Sequence, residues 1–399
     1  MSHREGEIYL ASPYTAATSC SSVLVVVVSQ TSINGFLPCS STDHLLLPHQ
    51  EGSESLRFPF IIIIFSVMSE TRFQEYLLFS YPASANTTPT FYHWISEDSQ
   101  KILARAAEKE KVIPRDNIWV NVDVLMTHDV CGPGSIGIFK KEFGEDAKVW
   151  DREKLDLSNF KVNPDYKGVC HIALAQEGHC RPGEVLLGTD SHTCTAGAFG
   201  QFATGIGNTD AGFVLGAEKL LLKVAPTLRF VLDGEMPSYF LAKDLILQII
   251  SEISMAGATY KSMEFVGSTV ESLTMEERMT LCNMVVEAGE KNGVIPPDSQ
   301  ARFLSECRFD VTKSEPLVAK PHSPDNRALS RECKDVKIDR VYIRSCTGGK
   351  TEDFMAAAKK FLASGKKVKL PTILVPATQK VWMDVYSLPV PGSGGKICS

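Results

Sequence analysis

His171, Asp190 and His192 are the first residues in this sequence whose types and spacing could do chemistry. Asp190 follows His171 by nineteen positions and precedes His192 by two, within Gly188-Thr189-Asp190-Ser191-His192-Thr193. A carboxylate beside imidazoles can orient them, fix their tautomers and raise their basicity, as general acid-base work requires. The same letters also describe a polar turn, because Asp, Ser and Thr cap the free N–H groups at the start of a helix. Spacing alone leaves both readings open. Asn283 and Glu287 lie four apart in Cys282-Asn283-Met284-Val285-Val286-Glu287 and would share one face of a helix, from which Glu287 could meet a histidine across a cleft. A solvated surface pair has the same spacing. Cys346, in Ser345-Cys346-Thr347-Gly348-Gly349, sits before a turn of small residues, where a thiolate can reach a metal and backbone N–H groups can bond its sulfur. A buried, inert thiol is the plain alternative.

Strands that deliver polar residues at their ends must position these groups. The pattern predicts a helix over 97–111, closed by Pro114, then a buried strand over 119–125 that leads into the loop Thr127-His128-Asp129. A strand over 184–187 precedes Asp190, and a helix over 209–222 follows. A strand over 340–343 and a helix over 352–363 flank Cys346. Helix and strand in alternation predict a layered α/β architecture. Glycines at 197, 200, 205, 207, 212 and 216 permit tight turns and close approach, but no phosphate loop followed by Lys is present, so nucleotide binding is not supported.

The 399 residues suffice for two or three domains. A net charge of -6 without a Lys/Arg cluster gives no general attraction to nucleic acid, which argues against an RNA-binding role. The apolar runs 23–28 and 58–65 are far shorter than the roughly 20 residues a membrane span needs, so no membrane partner is expected. Eleven cysteines without a regular framework read as reduced thiols, at least one with a metal role. Before residue 96 the sequence is Ser-rich and aperiodic, an irregular extension over 1–95.

Several segments resemble the aconitase superfamily, with wording closest to the large subunits of isopropylmalate isomerases. The resemblance is carried by VLLGTDSHTCTAGAFGQFATGIGNTDAGFVLG (185–216), MEERMTLCNMVVEAGEKNGV (275–294), SCTGGKTEDFMAAAK (345–359), PATQKVW (376–382) and WVNVDVLMTHDVCGP (119–133). It implies three-layer α/β/α domains: the first over 96–222, internally shortened, the second over 223–305, and a truncated third over 306–399. It also implies a hydro-lyase that moves water between neighbouring carbons of a 2-hydroxy dicarboxylate, as in leucine biosynthesis. In such enzymes a 4Fe-4S cluster on three cysteines acts as a Lewis acid. On that resemblance Cys346 is a cluster ligand. His171 with Asp190, and His192 with Glu287, are paired acid-base and orienting groups, while His128, Asp129, Ser191 and Asn283 face substrate or cluster. A separate small subunit, the expected partner in a heterodimer, supplies the base for the carbon-bound proton and the specificity for the side group.

Departures from the family pattern shape the remaining expectations. No C-x-x-C pair occurs in the sequence, which ends at Cys398-Ser399, and the family's substrate-gripping arginines are missing. Asp151 to Leu155 run directly into Asp156 to Phe160, where the family has an Asp-His pair, and a second shortening lies near 298–301. Arg344 replaces a Gly before Ser-Cys-Thr and should strain that turn. Residues 3–17 resemble the family's C-terminal end. One thiol cannot replace three, so this chain is expected to have little or no activity alone. The alternatives are a non-catalytic subunit that docks the small subunit, or a relative acting on homoaconitate or citrate. The family points to the chloroplast stroma, whereas three Arg, no Lys and nine Asp or Glu in the first hundred residues make a poor transit peptide, which leaves the cytoplasm as the other location.

Overall fold

The computed structural model describes residues 10–11, 98–149, 155–156, 168–296, 305–366 and 368–387, and strand and helix alternate through most of them. These residues all fall in one of the chain's two units. The extension over 1–95, apart from Leu10 and Ala11, and the chain end at Cys398-Ser399 lie outside the described residues. So do the expected shortening near 298–301 and most of the one near 151–160.

Helix α1 (Asp98–Ala106) turns Ile102, Leu103 and Ala106 inward and ends before Glu108, whose φ of 54° is left-handed. It is shorter than the helix expected over 97–111. Strand β2 (Asn117–Asn121) buries Ile118 and Val120 and leaves Trp119 half exposed against Phe213. The single buried strand expected over 119–125 is therefore two strands. The chain turns at Asp123, whose carboxylate accepts the Val185 N–H at 2.7 Å and pairs with Arg105. Strand β3 (Val124–Met126) then enters a different sheet.

That sheet joins β3 to β4 (Leu155–Asp156), β5 (Val185–Gly188) and β6 (Phe202–Gly205) in the order β4-β3-β5-β6, all parallel. Every residue of β5 is buried, as a strand covered on both faces requires. Helices α2 (Gly132–Phe143), α3 (Cys170–Gln176) and α4 (Asn208–Ala217) punctuate it. The helix expected over 209–222 stops at Glu218, which takes φ 57°. Its last residues instead form β7 (Lys219–Lys223), antiparallel to β2, with Leu220 buried and Leu221 half exposed. Pairing along the whole of β2 outweighed helix propensity there.

A second parallel sheet, ordered β10-β9-β8-β11, contains β8 (Thr227–Asp233), β9 (Ser262–Val266), β10 (Asn292–Val294) and β11 (Ser305–Asp310). It packs on α5 (Ala242–Ile253), where Leu245, Ile246, Leu247, Ile249 and Ile250 have no exposure at all. After the short α6 (Ser268–Ser272), α7 (Met275–Asn283) starts in a capping box: Thr274 Oγ1 accepts the Glu277 N–H, and the Glu277 carboxylate accepts the Thr274 N–H. Strands β12 (Leu317–Ala319) and β13 (Arg327–Leu329) form a small antiparallel sheet with β1 (Leu10–Ala11). Finally β14 (Val341–Arg344) pairs in parallel with β15 (Thr372–Val375), with the one-turn helix α8 (Ser345–Gly348), α9 (Thr351–Ser364) and α10 (Gln379–Ser387) around them. The architecture is mixed α/β with parallel sheets, as expected. Among the described residues no helix is long and apolar enough to cross a membrane.

Candidate active site

At the end of β5 the chain turns through Thr189 and Asp190 into a run of tight helical turns over Ser191–Phe199. Asp190 Oδ1 accepts the backbone N–H of His192 at 2.8 Å and lies 2.8 Å from His171 Nε2, which α3 supplies. One oxygen thus both caps the turn and orients an imidazole. His192 Nδ1 is 3.6 Å from that oxygen and 3.2 Å from Ser191 Oγ. On its other side His192 Nε2 is 3.8 Å from Glu287 Oε1, an ion-pair contact longer than a hydrogen bond. The two imidazole rings are 6.4 Å apart, centre to centre.

Burial alone would raise the Asp190 pKa, but hydrogen bonds and charge from His171 and His192 outweigh it and hold the carboxyl well below the usual range. For His192, burial disfavours the cation, yet Asp190 and Glu287 more than offset it, so its pKa stands well above the ordinary value. The ionised carboxylate thus favours the protonated form of the imidazole beside it.

Asn283 and Glu287 do not share a helix face as expected. Helix α7 ends on Asn283, and Met284–Ala288 tightens into 3-10 turns that bring Glu287 round to His192. Asn283 instead points inward, fully buried. Its Nδ2 donates to Thr195 Oγ1 at 2.8 Å and to Cys346 Sγ at 3.2 Å, and its Oδ1 accepts from Thr347 Oγ1 at 2.7 Å. Thr195 Oγ1 in turn donates to the His192 carbonyl at 2.6 Å. Cys346 is fully buried among core side chains, yet this chain of hydrogen bonds joins its sulfur to the histidine segment.

The strain expected at Arg344 falls one residue later. Arg344 is extended, with φ −165°, whereas Ser345 takes φ 85°, a conformation that costs a non-glycine residue about 1–3 kcal/mol. His128 has local partners: its Nδ1 accepts from the Val130 N–H at 3.3 Å and stands 3.6 Å from the exposed Asp129. Their loop touches the Asp190 turn through Thr189 Oγ1, which donates to Thr127 Oγ1 at 3.2 Å. Sequence reasoning misses Thr195 and Thr347 as members of this network, since lone threonines carry no spacing signal.

The resemblance implies a cluster on three cysteines, and the described residues do not fit one. Cys194, which also hydrogen-bonds here, donates to the carbonyls of Asn283 at 3.5 Å and Ser191 at 3.7 Å. Burial pushes its pKa and that of Cys170 well up, whereas a metal ligand is a thiolate. Among the described residues no three His, Cys, Asp or Glu side chains come together to hold a metal.

Residues 99–322 match the Aconitase family model (aconitate hydratase). The chain is 69% identical over 360 residues to the chloroplastic 3-isopropylmalate dehydratase large subunit of Arabidopsis thaliana, covering 75% of this chain and 71% of that one. It is 37% identical over 334 residues to a probable 3-isopropylmalate dehydratase large subunit of Methanothermobacter thermautotrophicus, covering 71% and 79%. With the large subunit of Caldicellulosiruptor saccharolyticus the identity is 37% over 336 residues, covering 71% and 77%. A parallel α/β scaffold, a shared Asp-His turn at a strand end and a family match over more than half its length place this chain in the aconitase family.

Proposed function

We propose that the chain provides large-subunit residues of a 3-isopropylmalate dehydratase, which exchanges 2- and 3-isopropylmalate by removing and restoring water in leucine biosynthesis. The observation that carries this is Asp190 Oδ1, shared between His171 Nε2 and the His192 backbone while Glu287 faces the other edge of His192. Dehydration breaks a C–H and a C–O bond, and the hydroxyl departs as water once it receives a proton. A buried imidazolium held by two carboxylates is suited to donate that proton and to recover it in the reverse direction. In this reading Ser191, His128 and Asp129 meet the dicarboxylate. Asn283, whose amide is committed to Thr195, Thr347 and Cys346, acts by placing the thiol.

The partner in this proposal is the small subunit implied by the relatives' names, and it would bring the base for the carbon-bound proton. The relative named as chloroplastic supports a chloroplast location. We also hold that these 399 residues alone turn over little or no substrate, because they contain no C-x-x-C pair to join Cys346. The same observation favours a second reading, a docking subunit without catalysis. Co-purification with the small subunit, followed by an isomerisation assay, tests all of this. A complex with near-background turnover is expected. No complex contradicts the large-subunit assignment, and full turnover contradicts the expected inactivity.

A further inference from the structure

We propose that Lys350 is a positioning residue for Cys346, a buried ammonium that locks the thiol-bearing turn onto α7 and α9. Lys350 follows Gly348-Gly349 and is only 1% exposed. A charge so deeply buried persists where it is paired and fully hydrogen-bonded. Its Nζ donates to Thr280 Oγ1 at 2.7 Å, to the Thr347 carbonyl at 2.8 Å and to Asp353 Oδ2 at 2.9 Å, and lies 3.5 Å from the Cys346 carbonyl. An ammonium has three N–H donors, and here each of the three short bonds reaches a different helix: α7, α8 and α9. Asp353 is fixed in its turn, because the same Oδ2 accepts the Lys350 backbone N–H at 3.0 Å.

Asn283 grips the turn from the sulfur side and Lys350 from the carbonyl side. Between them they over-determine a turn whose first residue, Ser345, has left-handed backbone torsions. Such a conformation is kept only where its surroundings hold it. Neither grip requires a bound metal. The inference deepens the reading of Cys346 as the functional thiol, and depends on that reading only for what the thiol is used for.

The test is the rate at which Cys346 in the whole chain is alkylated by iodoacetamide, read by peptide mass spectrometry, with buried Cys333 and Cys282 as internal controls. Alkylation of a buried thiol reports how often its turn opens. In Lys350→Met, Cys346 should react about tenfold faster or more, equivalent to ~1.4 kcal/mol, while Cys333 is unchanged. Lys350→Arg should restore most of the protection. If Lys350→Met does not fold, Asp353→Asn removes one partner and should still speed Cys346 about threefold or more. An unchanged Cys346 rate overturns the proposal, and so does an equal rise at all three thiols, which marks general loosening. The rates are compared on metal-free chains, since a thiolate that held iron would be shielded from the reagent, and the readout needs no isomerase activity, so failure of the functional reading is distinguishable from failure of the clamp.

Discussion

Asn283 Nδ2 donates to Cys346 Sγ across 63 residues of chain, and it is this bond that brings the thiol of one β-α turn to the histidine turn of another. Every polar group of the Asn283 side chain is used, in a place without solvent. Asn283→Ala leaves two buried threonine hydroxyls short of a partner, and about 1–3 kcal/mol is lost for each unsatisfied buried group. Denaturant unfolding should show a loss of roughly 2–4 kcal/mol. Asn283→Asp keeps the volume but replaces the donor by an acceptor, and should cost a comparable amount. A change below ~0.5 kcal/mol for either variant contradicts the network.

Asp190→Asn should destabilise the chain most near neutral pH, by about 3–5 kcal/mol, since it removes the buried carboxylate shared by His171 and His192 and leaves only the less buried Glu287 beside the His192 cation. The depressed Asp190 pKa adds stability above the unfolded value near 3.8 and loses it as pH falls through that region. The raised His192 pKa adds stability below 6.5, which is lost as pH rises through the folded value. The gap between wild type and Asp190→Asn should therefore narrow at both acid and alkaline pH. Unfolding curves measured from pH 3 to 10 check this, and a gap constant with pH would contradict it.

Lys243 lies buried in α5, and burial draws its pKa from 10.5 to about 8. Below pH 8 the fold bears the full cost of that buried cation, up to ~3 kcal/mol for a shift of this size. Replacing it with Met should raise stability at pH 7 by an amount of that order. As pH rises from about 8 to 10.5, only the unfolded chain keeps the proton, so the advantage should shrink and vanish. A Lys243→Met chain that is less stable than wild type at pH 7 would show that the ammonium is a net stabiliser.

Gly197 lies in the turns that carry His192, and a Cβ there would meet the Gly293 carbonyl oxygen at 1.6 Å. The obstacle is backbone of β10, which cannot rotate away as a side chain can. Gly197→Ala should cost about 3 kcal/mol or more, measured as a fall in thermal midpoint. Gly207→Ala, where no atom lies within 4 Å, serves as the control and should change stability little.

Much of this was legible because strands that end in polar loops declare themselves in sequence. His171, Asp190 and His192 meet as their spacing suggested, and Glu287 joins them although its helix stops short. What sequence left hidden follows from two physical causes. A charged residue reads as a surface residue, so Lys350 and Lys243 gave no sign that they are buried, and only the helices packed around them decide it. Short apolar runs do not reveal their period, so residues 219–222 read as the end of a helix, whereas pairing with β2 makes them strand. Asn283 was singled out, but its burial depends on Thr195 and Cys346, which lie 88 and 63 residues away.

In the proposed function the histidine–carboxylate cluster of this chain is the acid-base half of an aconitase-type site, and the described residues bring one thiol, Cys346, to it instead of a three-cysteine mount. Iron and acid-labile sulfide, counted per folded chain after anaerobic reconstitution, test this most directly. Well under one cluster equivalent per chain is the predicted result. Close to four iron and four sulfide per chain would contradict the account.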